Sequence, residues 1–161
     1  MRKLWFAMLV LVTLGAAIGC DSGGDDDSGP TDAETFVGNW RLTQLLLVSQ
    51  GATQDATFLI TAAGATVLID FESSTFEITV ETADSTSTFP GTYSVNDTQK
   101  TVILTSSEFT APVTIQYENN SENQITLDTD DVALFVELTG FDLAGVGFQV
   151  DAITLVVQRT G

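Results

Sequence analysis

The chain has 161 residues, with 22 acidic against five basic side chains, no histidine and a single cysteine. A net charge of −17 repels phosphate backbones and excludes nucleic acid as a partner. Without histidine, and with only one cysteine, neither Ser-His-Asp or Cys-His triads nor zinc sites built on His or Cys can be assembled.

Arg2 and Lys3 precede an uncharged run from Leu4 to Ile18, which ends in Gly19-Cys20. A positive start, a short apolar stretch and small residues at its end make residues 1–19 a secretory signal. The run is short for a permanent span, which needs about 20 apolar residues. Ala17-Ile18-Gly19-Cys20 resembles the lipobox of bacterial lipoprotein precursors, with Ala17 where Leu is commoner. The resemblance implies a diacylglycerol on the Cys20 sulfur, cleavage after Gly19 and acylation of the new amino terminus. The competing readings are an ordinary signal with an incidental cysteine and an uncleaved anchor. A lone thiol in an exported chain has no disulfide partner, which favours the lipid. Two or more acyl chains make such anchoring stable. The expected location is the cell envelope, outside the cytoplasm, with the membrane as partner through the lipid. Asp21 stands where, in some bacteria, an acidic residue favours the inner membrane. That rule does not hold across phyla, so both membranes stay open, with the outer preferred.

Loss of Arg2 and Lys3 leaves three basic residues, Arg41, Lys100 and Arg159, against all 22 acids, a net of −19. Such a surface does not dock on anionic lipid through its protein face. It suits a saline habitat, where salt screens self-repulsion, or plain solubility. Asp21 to Asp32 (DSGGDDDSGPTD) holds no aliphatic or aromatic residue and cannot bury enough apolar surface to offset its ordering entropy. Residues 20–33 are therefore expected to be a disordered acidic tether. Asp25, Asp26 and Asp27 read as a solvated spacer rather than a calcium site, because a flexible segment has no preorganised oxygens.

Residues 34–161 are rich in Thr, Val, Ile and Phe and nearly free of proline, as continuous strand pairing requires. They suffice for one domain with one core. Val67, Ile69 and Phe71 alternate with polar neighbours, and so do Phe76, Ile78 and Val80, with Glu72-Ser73-Ser74 as a hairpin turn between them. Tyr93 and Val95 lead through Asn96-Asp97-Thr98-Gln99 to Val102 and Leu104. Val113, Ile115 and Tyr117 lead through Asn119-Asn120-Ser121-Glu122 to Ile125 and Leu127. Asn and Asp suit these turns because they tolerate left-handed backbone. Ile153, Leu155 and Val157 alternate in the last strand. The pattern predicts about eight strands near 37–48, 65–72, 74–82, 88–95, 100–106, 111–118, 123–129 and 152–160, forming an antiparallel sandwich or barrel. Residues 51–64 read as a short helix or an extra strand. Residues 132–150 read as a helix and loop, or as a ninth strand.

Phe36-Val37-Gly38-Asn39-Trp40 resembles the Gly-x-Trp signature at the start of the first strand of lipocalins. The resemblance implies an up-and-down antiparallel β-barrel over 34–161, closest to the lipocalin-like domains of bacterial envelope lipoproteins. Lipocalins pair that Trp with an Arg of the last strand across the closed end. Arg159 has the parity of Ile153, Leu155 and Val157, so Gly38, Trp40 and Arg159 are the implied closure. An arginine on a dry face stacks on an indole with a gain of about 0.5–2 kcal/mol.

An eight-strand barrel is just wide enough for one small apolar ligand, or it is filled by its own side chains. Candidate lining residues, taken as dry-face positions, are Phe71, Phe76, Ile78, Phe89, Tyr93, Ile115 and Leu155; the bland alternative is that they pack the core. No glycine-rich phosphate loop and no marked carboxylate pair is present, so no catalytic residue and no cofactor is expected. Asp128, Asp130 and Asp131 begin like an EF-hand loop but lack its glycine and its closing glutamate, so no metal is expected there. Two readings remain: a binding module for a small apolar molecule, or a non-catalytic interaction protein with a filled barrel. The protein partner of the second is not legible in the sequence.

Overall fold

The computed structural model describes residues 31–139, 143, 147 and 149–161. Cys20, the lipobox and the tether up to residue 30 lie outside the described residues.

Twelve-residue β1 (Gly38–Ser49) is the spine of the sheet. It turns at Gln50-Gly51, both with positive φ (50° and 78°), into β2 (Ala52–Asp55). This two-residue, doubly left-handed turn matches the right-handed twist of a hairpin. A short helix, α2 (Thr57–Ala62), leads to β3 (Thr66–Phe71). Then come β4 (Thr75–Glu81), β5 (Thr86–Asn96), β6 (Thr101–Thr105), β7 (Val113–Ser121) and β8 (Gln124–Thr129). Helix α3 (Val132–Thr139) precedes the last strand, β9 (Ala152–Arg159).

β3 pairs with β1, each strand from β3 to β9 pairs with the next in sequence, and β9 returns to β1. The antiparallel closing ladder runs from Trp40↔Arg159 to Val48↔Ala152. With β2 set aside as an appendage on β1, eight of the nine strands form a closed up-and-down antiparallel barrel. This is the fold class that the sequence predicts. Closure removes the unpaired edges that an open sheet would expose. The dry faces read from alternation are buried: Val67, Ile69, Phe71, Phe76, Ile78 and Val80 are all at most 7% exposed.

Two places differ from expectation or resolve an ambiguity. Residues 51–64 hold both the extra strand β2 and the helix α2, since the upper part of β1 pairs with β2 and only its lower part with β3. Residues 132–139 are helix rather than strand. Asp131 starts that helix, its Oδ1 accepting the Leu134 amide at 2.9 Å, and a capping aspartate decides between two states that an apolar run leaves open.

The expected tether ends earlier than residue 33. Asp32–Phe36 is a helix, α1, closed by a capping box: Thr31 Oγ1 accepts the Glu34 amide, and Thr31 N donates to Glu34 Oε2. Five residues are too few to hold as a helix alone. Phe36 anchors it, fully buried against the rings of Phe71, Tyr93 and Tyr117.

Candidate functional site

The two ends of the barrel carry different chemistry. At the α1 end, Trp40 is fully buried and its Nε1 donates to the Phe36 carbonyl at 2.7 Å. The Arg159 guanidinium carbon lies 4.6 Å from the Trp40 ring centroid. The same guanidinium donates through Nη1 to Val37 O (2.7 Å), through Nη2 to Thr35 O (2.7 Å) and through Nε to Glu122 O (3.2 Å). It thus offers donors to the carbonyls at the end of α1, which no intrahelical amide satisfies. Gly38 has φ +136°, and a Cβ there would sit 2.5 Å from Arg159 Nη1. The glycine is needed twice, for its backbone angle and for the space that the guanidinium occupies.

Beside this lies a polar cluster that sequence reasoning missed. Asp32 accepts from Tyr117 Oη at 2.6 Å and from Asn119 Nδ2 at 3.0 Å, and it is ion-paired with Lys100. The Lys100 bond, followed by that from Tyr117, holds the Asp32 carboxyl below its ordinary value. Burial, then the bond to Asp32, pushes the Tyr117 hydroxyl above its ordinary value. Asp32 looks like one more tether acid. The signal that could have placed it is Thr31-x-x-Glu34, the sequence form of a capping box.

Phe71, Phe76 and Tyr93, three of the expected lining residues, belong to an aromatic floor. Phe71 meets Phe36 edge-on at 5.3 Å and Tyr93 at 4.8 Å. Phe76 stacks on Phe109 at 6.1 Å. Tyr93 Oη donates to Glu72 O at 2.6 Å. The Phe76 ring lies over Gly91, where a Cβ would stand 2.6 Å from it and 2.4 Å from Thr105 O. Ile115 is buried in the core and Phe89 is half-buried.

A void of about 50 Å³ lies between α3 and the inner faces of β9, β1, β3 and β4. Ile78 and Leu155 line it, as does Leu42 of β1; Phe135, Leu138 and Thr139 of α3 form the opposite side. Its one polar side chain, Thr139, donates from Oγ1 to Phe135 O of its own helix at 2.6 Å. Of the seven expected lining residues, two therefore face the void and three build the floor. The α3 residues were invisible as lining because the apolar run of 132–138 could not be assigned to helix or strand.

Two of the acids near α3 have partners in the fold. Asp131 caps the helix, and Asp128 accepts from Thr154 Oγ1. Among the described residues, no three His, Cys, Asp or Glu side chains come together as a metal-binding group.

No protein-family model matches the chain, and no curated protein matches it. Its backbone is similar to that of lobster apocrustacyanin A1, at 10% identity and a TM-score of 0.38, over 78% of this chain and 61% of that one. The match thus spans less than two thirds of the lobster protein, and a likeness of that grade bears on neither ligand nor partner.

Proposed function

We propose that this chain is an envelope lipoprotein, exported by residues 1–19 and anchored through lipid on Cys20, whose barrel admits a small apolar ligand beneath α3. The anchoring rests on Ala17-Ile18-Gly19-Cys20 behind a basic start and an apolar run. The ligand reading is carried by one observation: the void has apolar walls apart from Thr139, and its far side is a single eight-residue helix rather than sheet. Ordinary ligand pockets measure about 300–1,000 Å³, so a void of 50 Å³ admits a ligand only if α3 moves outward. That same size favours the second reading, a filled barrel that works through its surface.

Titration with N-phenyl-1-naphthylamine, a neutral apolar fluorophore, separates the two. The ligand reading predicts saturable fluorescence enhancement that Ile78→Trp, by filling the void, abolishes without unfolding the domain. No saturable enhancement would leave the filled barrel. The anchor is tested by Cys20→Ser, which is expected to stay unlipidated and to leave the membrane fraction or persist uncleaved. Wild-type fractionation and migration of that variant would remove Cys20 as the anchor.

A further inference from the structure

A groove of about 440 Å³ runs outside the barrel, between α2 and the outer face of β1 and β9. It reverses the charge of the molecule. Two of the three basic residues that follow Cys20, Arg41 and Arg159, line it, and no carboxylate does among the described residues. Arg159 is occupied, giving three hydrogen bonds to carbonyls. Lys100, outside the groove, is occupied by Asp32. Arg41 is exposed, and its guanidinium makes neither hydrogen bond nor ion pair among the described residues. Two neighbours share its position and its availability. Gln158 is its register partner on β9, and Thr66 stands two residues from its register partner Leu68 on β3, so all three share the outer face. Other threonines in the groove are committed: Thr43 donates to Val156 O, Thr61 to Thr57 O and Thr160 to Asn39 O, while Thr57 Oγ1 accepts the Leu45 amide. Asp70, two residues from Leu68 on the side away from Thr66, makes no ion pair with Arg41 and opens onto other grooves. Asp55, next to α2, accepts from Gln44 and from the Thr57 amide. Leu42, Ile60 and Ala65 supply an apolar side.

We propose that this groove is a binding site for a small organic acid, its carboxylate held by Arg41, Gln158 and Thr66 and its short apolar part against Ile60 and Ala65. A guanidinium fork matches a carboxylate through two parallel hydrogen bonds, and these are the stronger, charge-assisted kind. An arginine left unpaired on so acidic a chain is what such a site requires, because a built-in carboxylate would compete with the ligand. The site shares only Leu42 with the interior void, and the carboxylate contacts do not depend on that void.

The test is calorimetric titration of the full chain in detergent with butanoate, n-butanol and inorganic phosphate. An ionic strength of about 0.1 M gives a Debye length of about 10 Å and screens the general negative field. Butanoate is expected to bind saturably, and butanol and phosphate at least tenfold more weakly. Arg41→Gln should weaken butanoate at least tenfold with an unchanged melting temperature, and Gln158→Leu should weaken it severalfold. Absence of saturable butanoate binding, butanol or phosphate binding as tightly, or butanoate binding unaffected by Arg41→Gln would each overturn the proposal.

Discussion

The two ends of this barrel solve the problem of closure in opposite ways. At the α1 end, Trp40, Phe36 and Arg159 fill the space, and every donor nitrogen of the Arg159 guanidinium finds a carbonyl. Asp32 adds contacts to Lys100, Tyr117 and Asn119. At the α3 end one helix covers an apolar void, and Asp131 caps that helix. Packed interiors resist changes of even a methylene, whereas a void leaves its lining short of contacts. The first end is thus built to stay shut, and the second is where the fold has kept room.

The largest effect that can break this contrast is expected at the shut end. Trp40→Ala should cost about 3–5 kcal/mol, as for other buried aromatics, measured by urea denaturation. In a double-mutant cycle with Arg159→Ala, coupling of about 0.5–3 kcal/mol is expected for residues in contact. Coupling near zero would mean that the stacked geometry carries no energy.

Next in size is Gly91→Ala. The added methyl meets Thr105 O and the Phe76 ring, and overpacking of this kind costs about 1–3 kcal/mol. A neutral result would show that the aromatic floor is looser than its contacts imply.

Acid sharpens the comparison differently. The Asp32 carboxyl is held below its ordinary value of 3.8, chiefly by the Lys100 bond. Its stabilising contribution is therefore present above about pH 4 and lost as pH falls through the lower, folded value. The stability gap between wild type and Asp32→Asn should close over that range and stay constant from pH 5 to 8. At the alkaline side Tyr117 is raised above 10.0, mainly by burial, so stability should fall as pH rises past 10. A gap between wild type and Asp32→Asn that is unchanged down to pH 2 would mean that Asp32 does not tie α1 to the barrel.

The smallest effect belongs to the α3 end. Val67 lines the void, so Val67→Ile has somewhere to put its extra methyl and should change stability by less than about 1 kcal/mol, in the stabilising direction. A loss as large as that of Gly91→Ala would erase the difference between the ends.

What was legible in the sequence follows the same division. Alternation announced the barrel strands because they carry a dry face, which the exposed β2 lacks, and Phe76, Ile78 and Val80 could be read with no knowledge of their partners. Gly38, Trp40 and Arg159 could be picked out because a motif and a parity, both local, placed them at paired ends of the first and last strands. The rest depended on packing. Val132 to Leu138 is apolar apart from Glu137 and too short for periodicity to choose between helix and strand. The void exists only through where that helix lies. Asp32 reads as a solvated acid until Tyr117 and Lys100, distant in sequence, are brought beside it. Arg41 is one exposed charge among many until the fold shows that no carboxylate stands beside it in its groove.

Native-state hydrogen exchange tests the contrast most directly, because it reads the opening free energy of each segment separately. The amides of α3 are expected to open well below the free energy of global unfolding, while those of β1 and β9 between Trp40 and Arg159 exchange only with global unfolding. Saturation with N-phenyl-1-naphthylamine should then raise protection in α3 far more than in α1. If α3 instead exchanges only through global unfolding and the probe leaves it unchanged, both ends are equally shut, and the barrel is filled.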